Sequence, residues 1–196
     1  MKTFTVATGN KHKLEEMTAI LAPHGIRLLS ADDAGGMPEV IEDGMTFEAN
    51  AIKKATVCAR AWNRTVIADD SGLEVAALDN APGVFSARYA GEGGNDGRNL
   101  KKLLNNLEGV TDRRARFVTV IALATPEGIV KTARGEVTGS MTTAPRGNGG
   151  FGYDPAFVPD GYQLTFAELP QETKNALSHR ANALKNAIEN GLFDQF

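Results

Sequence analysis

The chain has 196 residues, 42% hydrophobic and 23% charged, with a formal net charge of −3. That balance belongs to an ordinary globular protein with length for one large domain or two closely joined lobes, and it offers no whole-chain attraction to nucleic acid or acidic lipid. Cys58 is the single cysteine, which excludes an intrachain disulfide and a cysteine-rich zinc site. The first residues run from a short apolar stretch straight into a glycine-containing turn, unlike a signal peptide, and no run approaches membrane-spanning length. The expectation is a soluble cytoplasmic protein.

Residues 3–8 alternate and are rich in Val, Thr and Phe, which predicts a strand. Thr8-Gly9-Asn10 is a turn, and residues 11–21 place Leu14, Met17 and Leu21 on one helical face, with Gly25 at the C-terminal glycine position. A strand, a glycine turn and a helix start aim backbone N–H groups at one point, which suits a phosphate. Lys13 lies in the first turn, where a cation opposes the helix dipole, so a negative group is expected near it. Residues 26–30 read as a second strand, and 30–44 as a polar loop carrying Glu39, Glu42 and Asp43. A helix over 46–62 buries Phe47, Ala51, Ala55, Cys58 and Trp62. Asn50 and Lys54, four apart, share another face, where local sequence predicts a solvated lysine.

The central stretch is residues 65–78, TVIADDSGLEVAAL. An apolar β-branched run ends in Asp69 and Asp70, and Ser71-Gly72 then signal a turn. Two acids at the end of a buried strand need lysines, arginines or a metal nearby. Because successive strand residues face opposite ways, the pair shares one site only if the chain bends at Ser71-Gly72. Taken alone, an Asp-Asp pair is as well explained by a capped strand end.

Residues 82–91 form a loop with two aromatics and an arginine. Residues 95–107 are amphipathic, with Leu100, Leu103, Leu104 and Leu107 inward. Residues 115–125 and 129–138 flank Pro126-Glu127-Gly128 as a hairpin. The glycine-dense segment 145–155 matches G-x-G-x-x-G at Gly147–Gly152 without the helix a dinucleotide fold requires, so a nicotinamide-dependent enzyme is excluded and a flexible binding loop expected. Residues 156–158 suggest a short strand. Lys174 precedes a final helix capped by Ser178, opened by His179-Arg180 and ended by Gly191. No P-loop, nucleophile elbow or histidine spacing for zinc occurs. The mixture of βαβ-like units and a hairpin predicts an α/β fold with a mixed sheet.

Four blocks stand in order: Thr8-Gly9-Asn10-x-x-Lys13-x-x-Glu16, Ala68-Asp69-Asp70-Ser71-Gly72-Leu73, Gly149-Gly150-Phe151-Gly152-Tyr153-Asp154-Pro155 and Ser178-His179-Arg180. Together with the 82–91 loop they resemble the inosine triphosphate pyrophosphatase family, and the resemblance covers nearly the whole chain as one domain over 1–196. It implies an elongated two-lobed α/β fold, a long mixed β-sheet flanked by helices, an active cleft between the lobes and a homodimer. It implies hydrolysis of non-standard purine nucleoside triphosphates (ITP, dITP, XTP) to the monophosphate and pyrophosphate with Mg²⁺, and no nucleic acid or membrane partner. By matching position, Thr8, Gly9, Asn10 and Lys13 hold phosphates with Lys54 assisting. Glu42, Asp70 and Asp69 are the metal-binding acids, and Asp70 is the proton acceptor. Ser71 contacts substrate, and Phe151, Gly152, Tyr153, Asp154, Lys174, His179 and Arg180 form the base pocket. The chain departs from the family pattern at Lys11-His12, and at Ala49, where many members carry a glutamate. Alternative readings are a pyrophosphatase for other modified nucleotides, against which Ser178-His179-Arg180 argues, and a non-catalytic nucleotide sensor, against which the intact acids argue.

Overall fold

The computed structural model describes residues 1–195. Among them, strands β1 (Lys2–Val6), β2 (Ile26–Leu29), β3 (Val66–Val75), β4 (Arg114–Ala124), β5 (Val130–Met141) and β6 (Phe157–Pro159) pair into one sheet in the order β2-β1-β3-β4-β5-β6. β1 runs parallel to both β2 and β3, while β5 and β6 are antiparallel, so the sheet is mixed. Helices α1 (Lys11–Leu21), α2 (Phe47–Trp62), α3 (Asp96–Asn106), α4 (Gln171–Leu177) and α5 (His179–Glu189) complete the α/β fold.

Local sequence accounts for the helix starts. Asn10, Thr46 and Asn95 each cap a helix, their side-chain oxygens accepting the backbone N–H of Lys13, Ala49 and Arg98. α1 stops before a short 3₁₀ turn, and Gly25 then adopts a left-handed φ of 71° that its lack of a Cβ permits. The hairpin turns where the Thr125 N–H donates to the Ile129 carbonyl at 2.9 Å.

One expectation is corrected. No turn occurs at Ser71-Gly72: β3 runs unbroken from Val66 to Val75. It is an interior strand, paired on both sides, and continuous ladder bonding outweighs a local turn preference. Lys174 precedes the helix opened by His179 as expected, and itself sits within a separate short helix, α4. Ser178, with extended backbone (ψ 161°), separates α4 from α5. The glycine-dense segment makes backbone hydrogen bonds. The Arg146 N–H donates to the Pro155 carbonyl at 2.7 Å, and the Gly149 N–H to the Ala167 carbonyl at 3.0 Å.

The chain divides into two compact units. The first comprises Met1–Asp70, Thr119–Gly135 and Arg180–Phe196. Its core gathers Phe4, Val6, Met17, Leu21, Ile67, Ile121, Leu123 and Leu184. The second comprises Ser71–Val118 and Glu136–His179, with a core of Leu73, Leu103, Leu107, Phe117, Phe157 and Phe166. β3, β4 and β5 each contribute residues to both units.

Candidate active site

In the first unit, β1 ends at Val6, which is level with Ile67 on β3. Two residues further along each strand lie Thr8, at the turn into α1, and Asp69. Thr8 Oγ1 accepts the Asn10 N–H at 3.1 Å, and Asn10 Oδ1 accepts the Lys13 N–H at 3.2 Å, which sets the turn. Because β3 stays extended, Asp69 and Asp70 point to opposite faces.

Asp69, 1% exposed, receives the cations. Lys13 Nζ lies 2.8 Å and Arg180 Nη2 3.3 Å from its Oδ2. Arg180 also bonds Glu16 of α1 through Nη1, and is itself 1% exposed. Burial works to raise the Asp69 carboxyl, but Lys13, Arg180 and Lys54 together hold it far below the usual carboxylate range. Burial lowers the Lys13 ammonium against the attraction of Asp69, and the charges of Arg180 and Lys54 lower it further. The first-turn lysine and arginine that oppose their helix dipoles are thus held by acids of the chain itself.

Asp70 faces α2, where Asn50 Nδ2 donates to its Oδ2 at 3.0 Å. Burial pushes this carboxyl up to about 6, and the charge of Glu42 adds to the rise. The Asn50 hydrogen bond and the charges of Lys54 and Lys13 pull the other way. Lys54 is buried, not solvated, and its Nζ lies 2.7 Å from Glu42 Oε1. Burial works to lower the Lys54 ammonium, but Asp69, Glu42 and Asp70 raise it on balance.

Within the second unit, Asp154 Oδ2 accepts from Lys174 Nζ at 2.6 Å and from the Phe151 N–H at 2.9 Å. Both charged side chains are buried. Gly150 makes this possible, since a Cβ there would lie 2.1 Å from Asp154 Oδ2. Lys174 Nζ stands 5.0 Å from the Phe151 ring centroid, in cation–π range. The Gly152 N–H donates to Asp96 Oδ2 at 2.8 Å, and the Tyr153 hydroxyl to the Ser86 carbonyl at 2.7 Å. His179 stacks on Phe117 with ring centroids 4.8 Å apart and planes 14° apart.

The chain matches the Ham1 family over residues 4–190. The chain belongs to the Ham1 family. It is 52% identical to the dITP/XTP pyrophosphatase of Geobacter sulfurreducens, over 94% of this chain and 94% of that protein. It is 50% identical to the dITP/XTP pyrophosphatase of Desulforamulus reducens, over 94% and 92%. Among solved structures, the Staphylococcus aureus Ham1 protein superposes with a TM-score of 0.86 at 42% identity, covering 100% of both chains. A HAM1 protein from Coxiella burnetii gives 0.87 at 39% identity, covering 99% of this chain and 100% of that one. The mixed α/β architecture expected from the sequence is the Ham1 fold.

In this Ham1 chain the predicted residues form two groups. Asn10, Lys13, Glu42, Lys54, Asp69, Asp70 and Arg180 are joined by contacts of the first unit. Phe151, Asp154 and Lys174 are joined in the second, with Gly152 and Tyr153 on its loop. Arg180, placed by resemblance in the base pocket, commits its guanidinium to Glu16 and Asp69. Ser71 follows Asp70 on the extended strand. Sequence reasoning missed the parts played by Glu16, Asn50, Asp96 and Phe117. Glu16 left a signal in the first motif block and Asn50 in its i, i+4 spacing to Lys54, while Asp96 and Phe117 left none.

Among the described residues no three His, Cys, Asp or Glu side chains converge to cage a metal. Mg²⁺ does not require a cage, since it binds through one or two carboxylates together with phosphate oxygens and water. Glu42 and Asp70 would fit such a set. They are oxygen donors, and the charge of Glu42 helps raise the Asp70 carboxyl, a penalty that a cation beside them would relieve.

Proposed function

We propose that this chain hydrolyses non-standard purine nucleoside triphosphates, ITP, dITP and XTP, to the monophosphate and pyrophosphate, and so clears them from the nucleotide pool. Relatives that bear the name dITP/XTP pyrophosphatase, about half identical over nearly the whole chain, support the reaction. The observation that carries it is the division of labour on β3. Asp69 meets Lys13 and Arg180, while Asp70, one residue on, faces α2, where Asn50 holds its carboxylate and the charges of Lys54 and Glu42 act on it.

Thr8, Gly9, Asn10 and Lys13 hold the phosphate chain, with Lys54 assisting, through backbone N–H groups and charge-assisted bonds. Glu42 and Asp70 would hold Mg²⁺, and Asp69 positions Lys13 and Arg180. Bound there, Mg²⁺ would supply positive charge against the phosphates and make a nearby water more acidic. Asp70 orients the attacking water and takes its proton. The water oxygen bonds to the α-phosphorus as the bond to the bridging oxygen breaks, and pyrophosphate leaves against the lysines. Ser71 contacts the substrate. Phe151 offers the base a stacking face, and Gly152, Tyr153, Asp154, Lys174 and His179 complete the base pocket.

The test is a panel of nucleoside triphosphates with Mg²⁺, reading pyrophosphate and monophosphate together. ITP and XTP turned over far faster than ATP is the expected result. Equal turnover of ATP overturns the base assignment, and tight nucleotide binding with no pyrophosphate indicates a sensor. We also propose a cytoplasmic homodimer that binds neither nucleic acid nor membrane. A buried free cysteine suits a reducing compartment, and among the described residues no helix is long and apolar enough to cross a membrane. Light scattering after gel filtration checks the dimer.

A further inference from the structure

Asn50 lies in the first turn of α2 and is 1% exposed. Its carboxamide joins two parts of the first unit. Oδ1 accepts the Gly44 N–H at 2.8 Å, and Nδ2 donates to the Gly44 carbonyl at 3.3 Å, so the amide pairs with Gly44 as a neighbouring strand would. Nδ2 also donates to Asp70 Oδ2 at 3.0 Å. One helical turn further on, Lys54 holds Glu42, two residues before Gly44. The helix beneath is firm. Phe47, Ala51, Ala55 and Cys58 are buried, and Thr132 Oγ1 on β5 donates to Glu48 Oε1 at 2.9 Å.

We propose that Asn50 is a positioning residue, which fixes the Glu42 loop and the Asp70 carboxylate to one rigid helix and so sets the two acids for a divalent cation before substrate arrives. The inference rests on the assignment of Glu42 and Asp70 as the metal-binding pair. Asparagine is the side chain that suits the place. It supplies one acceptor and two N–H donors, where aspartate has no donor and would repel Asp70, and glutamine is a methylene too long. Gly44 is constrained from the other side: a Cβ there would lie 2.6 Å from Asn50 Oδ1, so an alanine at 44 must displace the amide. The same contact can therefore be broken from either partner. Outer groups that orient metal-binding carboxylates typically change metal affinity about 10–100-fold when removed.

The experiment measures Mn²⁺ binding to the nucleotide-free protein by electron paramagnetic resonance. Alongside it come the Mg²⁺ concentration for half-maximal activity and the KM for ITP at saturating Mg²⁺. Asn50→Ala and Gly44→Ala should each weaken Mn²⁺ binding about 10–100-fold and raise the Mg²⁺ requirement, leaving KM for ITP unchanged. The double variant should be no worse than Asn50→Ala, which already removes the contact to Gly44 along with the bond to Asp70. Wild-type Mn²⁺ affinity in both variants overturns the proposal, as does an absence of Mn²⁺ binding to the wild type. If Asn50→Ala melts early, Gly44→Ala alone decides. Failure of the wild type to release pyrophosphate from any triphosphate would defeat the functional reading, while the Mn²⁺ comparison would still decide the clamp.

Discussion

Asp70 is 8% exposed, and its carboxyl is raised from an ordinary 3.8 to about 6, chiefly by burial. The folded protein therefore holds that proton more tightly than the unfolded chain does. The stability this adds is fully present below pH ~4 and is lost as pH rises through about 6. A shift of about two units at ~1.4 kcal/mol each amounts to about 3 kcal/mol. Above pH 6 the metal-free fold carries that penalty to keep a buried charge. Asn cannot ionise, and its amide oxygen can accept the Asn50 N–H in place of Oδ2. Asp70→Asn should thus be more stable than wild type in EDTA at pH 8, by up to about 3 kcal/mol, or roughly 6–12 °C in Tm at this size. The same change should lower kcat by about 10²–10⁴-fold through loss of the base. The assay is thermal or urea unfolding of both proteins in EDTA from pH 4 to pH 8. The gap should shrink to a small part of its pH 8 value near pH 4, where the folded carboxyl is protonated and the pH lies close to the unfolded value of 3.8, and other carboxylates cancel because they are common to both proteins. Added Mg²⁺ should narrow the gap at pH 8 by stabilising the wild type more. A variant no more stable than wild type at pH 8, or a gap that ignores pH, refutes the reasoning.

Arg180→Leu leaves Glu16 without its guanidinium and removes one of the cations on Asp69; breaking a buried ion pair in this way costs about 3–5 kcal/mol. A wild-type melting curve for that variant would mean the cluster is not structural. Burial raises the Cys58 thiol to about 11, so the native protein should resist iodoacetamide at pH 8 and react quickly in urea. Fast alkylation of folded protein would contradict its placement in the core. Because β3, β4 and β5 contribute to both units, residues 1–196 should unfold as one domain. Trp62 fluorescence, from the first unit, and near-ultraviolet dichroism of Tyr89, Tyr153 and Tyr162, from the second, should give one midpoint. Separate midpoints would divide the chain into two domains.

The sequence by itself determined the elements whose causes are local. α1 begins and ends at the expected residues because Asn10 caps it and Leu14, Met17 and Leu21 recur at helical spacing. Thr46 does the same for α2. The four motif blocks identified the family because each preserves residue types at fixed spacing. The sequence also marked Lys13 as an anomaly, a cation in a first helical turn, and placed Arg180 at the start of the last helix, without saying which acids they meet. Tertiary structure alone decided that. Arg180 finds Glu16 at a separation of 164 residues and Asp69 at 111, distances over which local propensity carries no information. It also decided against the turn at Ser71-Gly72, because pairing on both sides of β3 outweighs a two-residue preference. That straight strand sends Asp69 to the cations and Asp70 to α2. Lys54 and Asn50 follow the same rule. On an isolated helix they are solvated polar residues, and only the packing of Glu42, Gly44 and Asp70 against α2 gives them partners, because a buried polar group is retained only where folding supplies its hydrogen bonds.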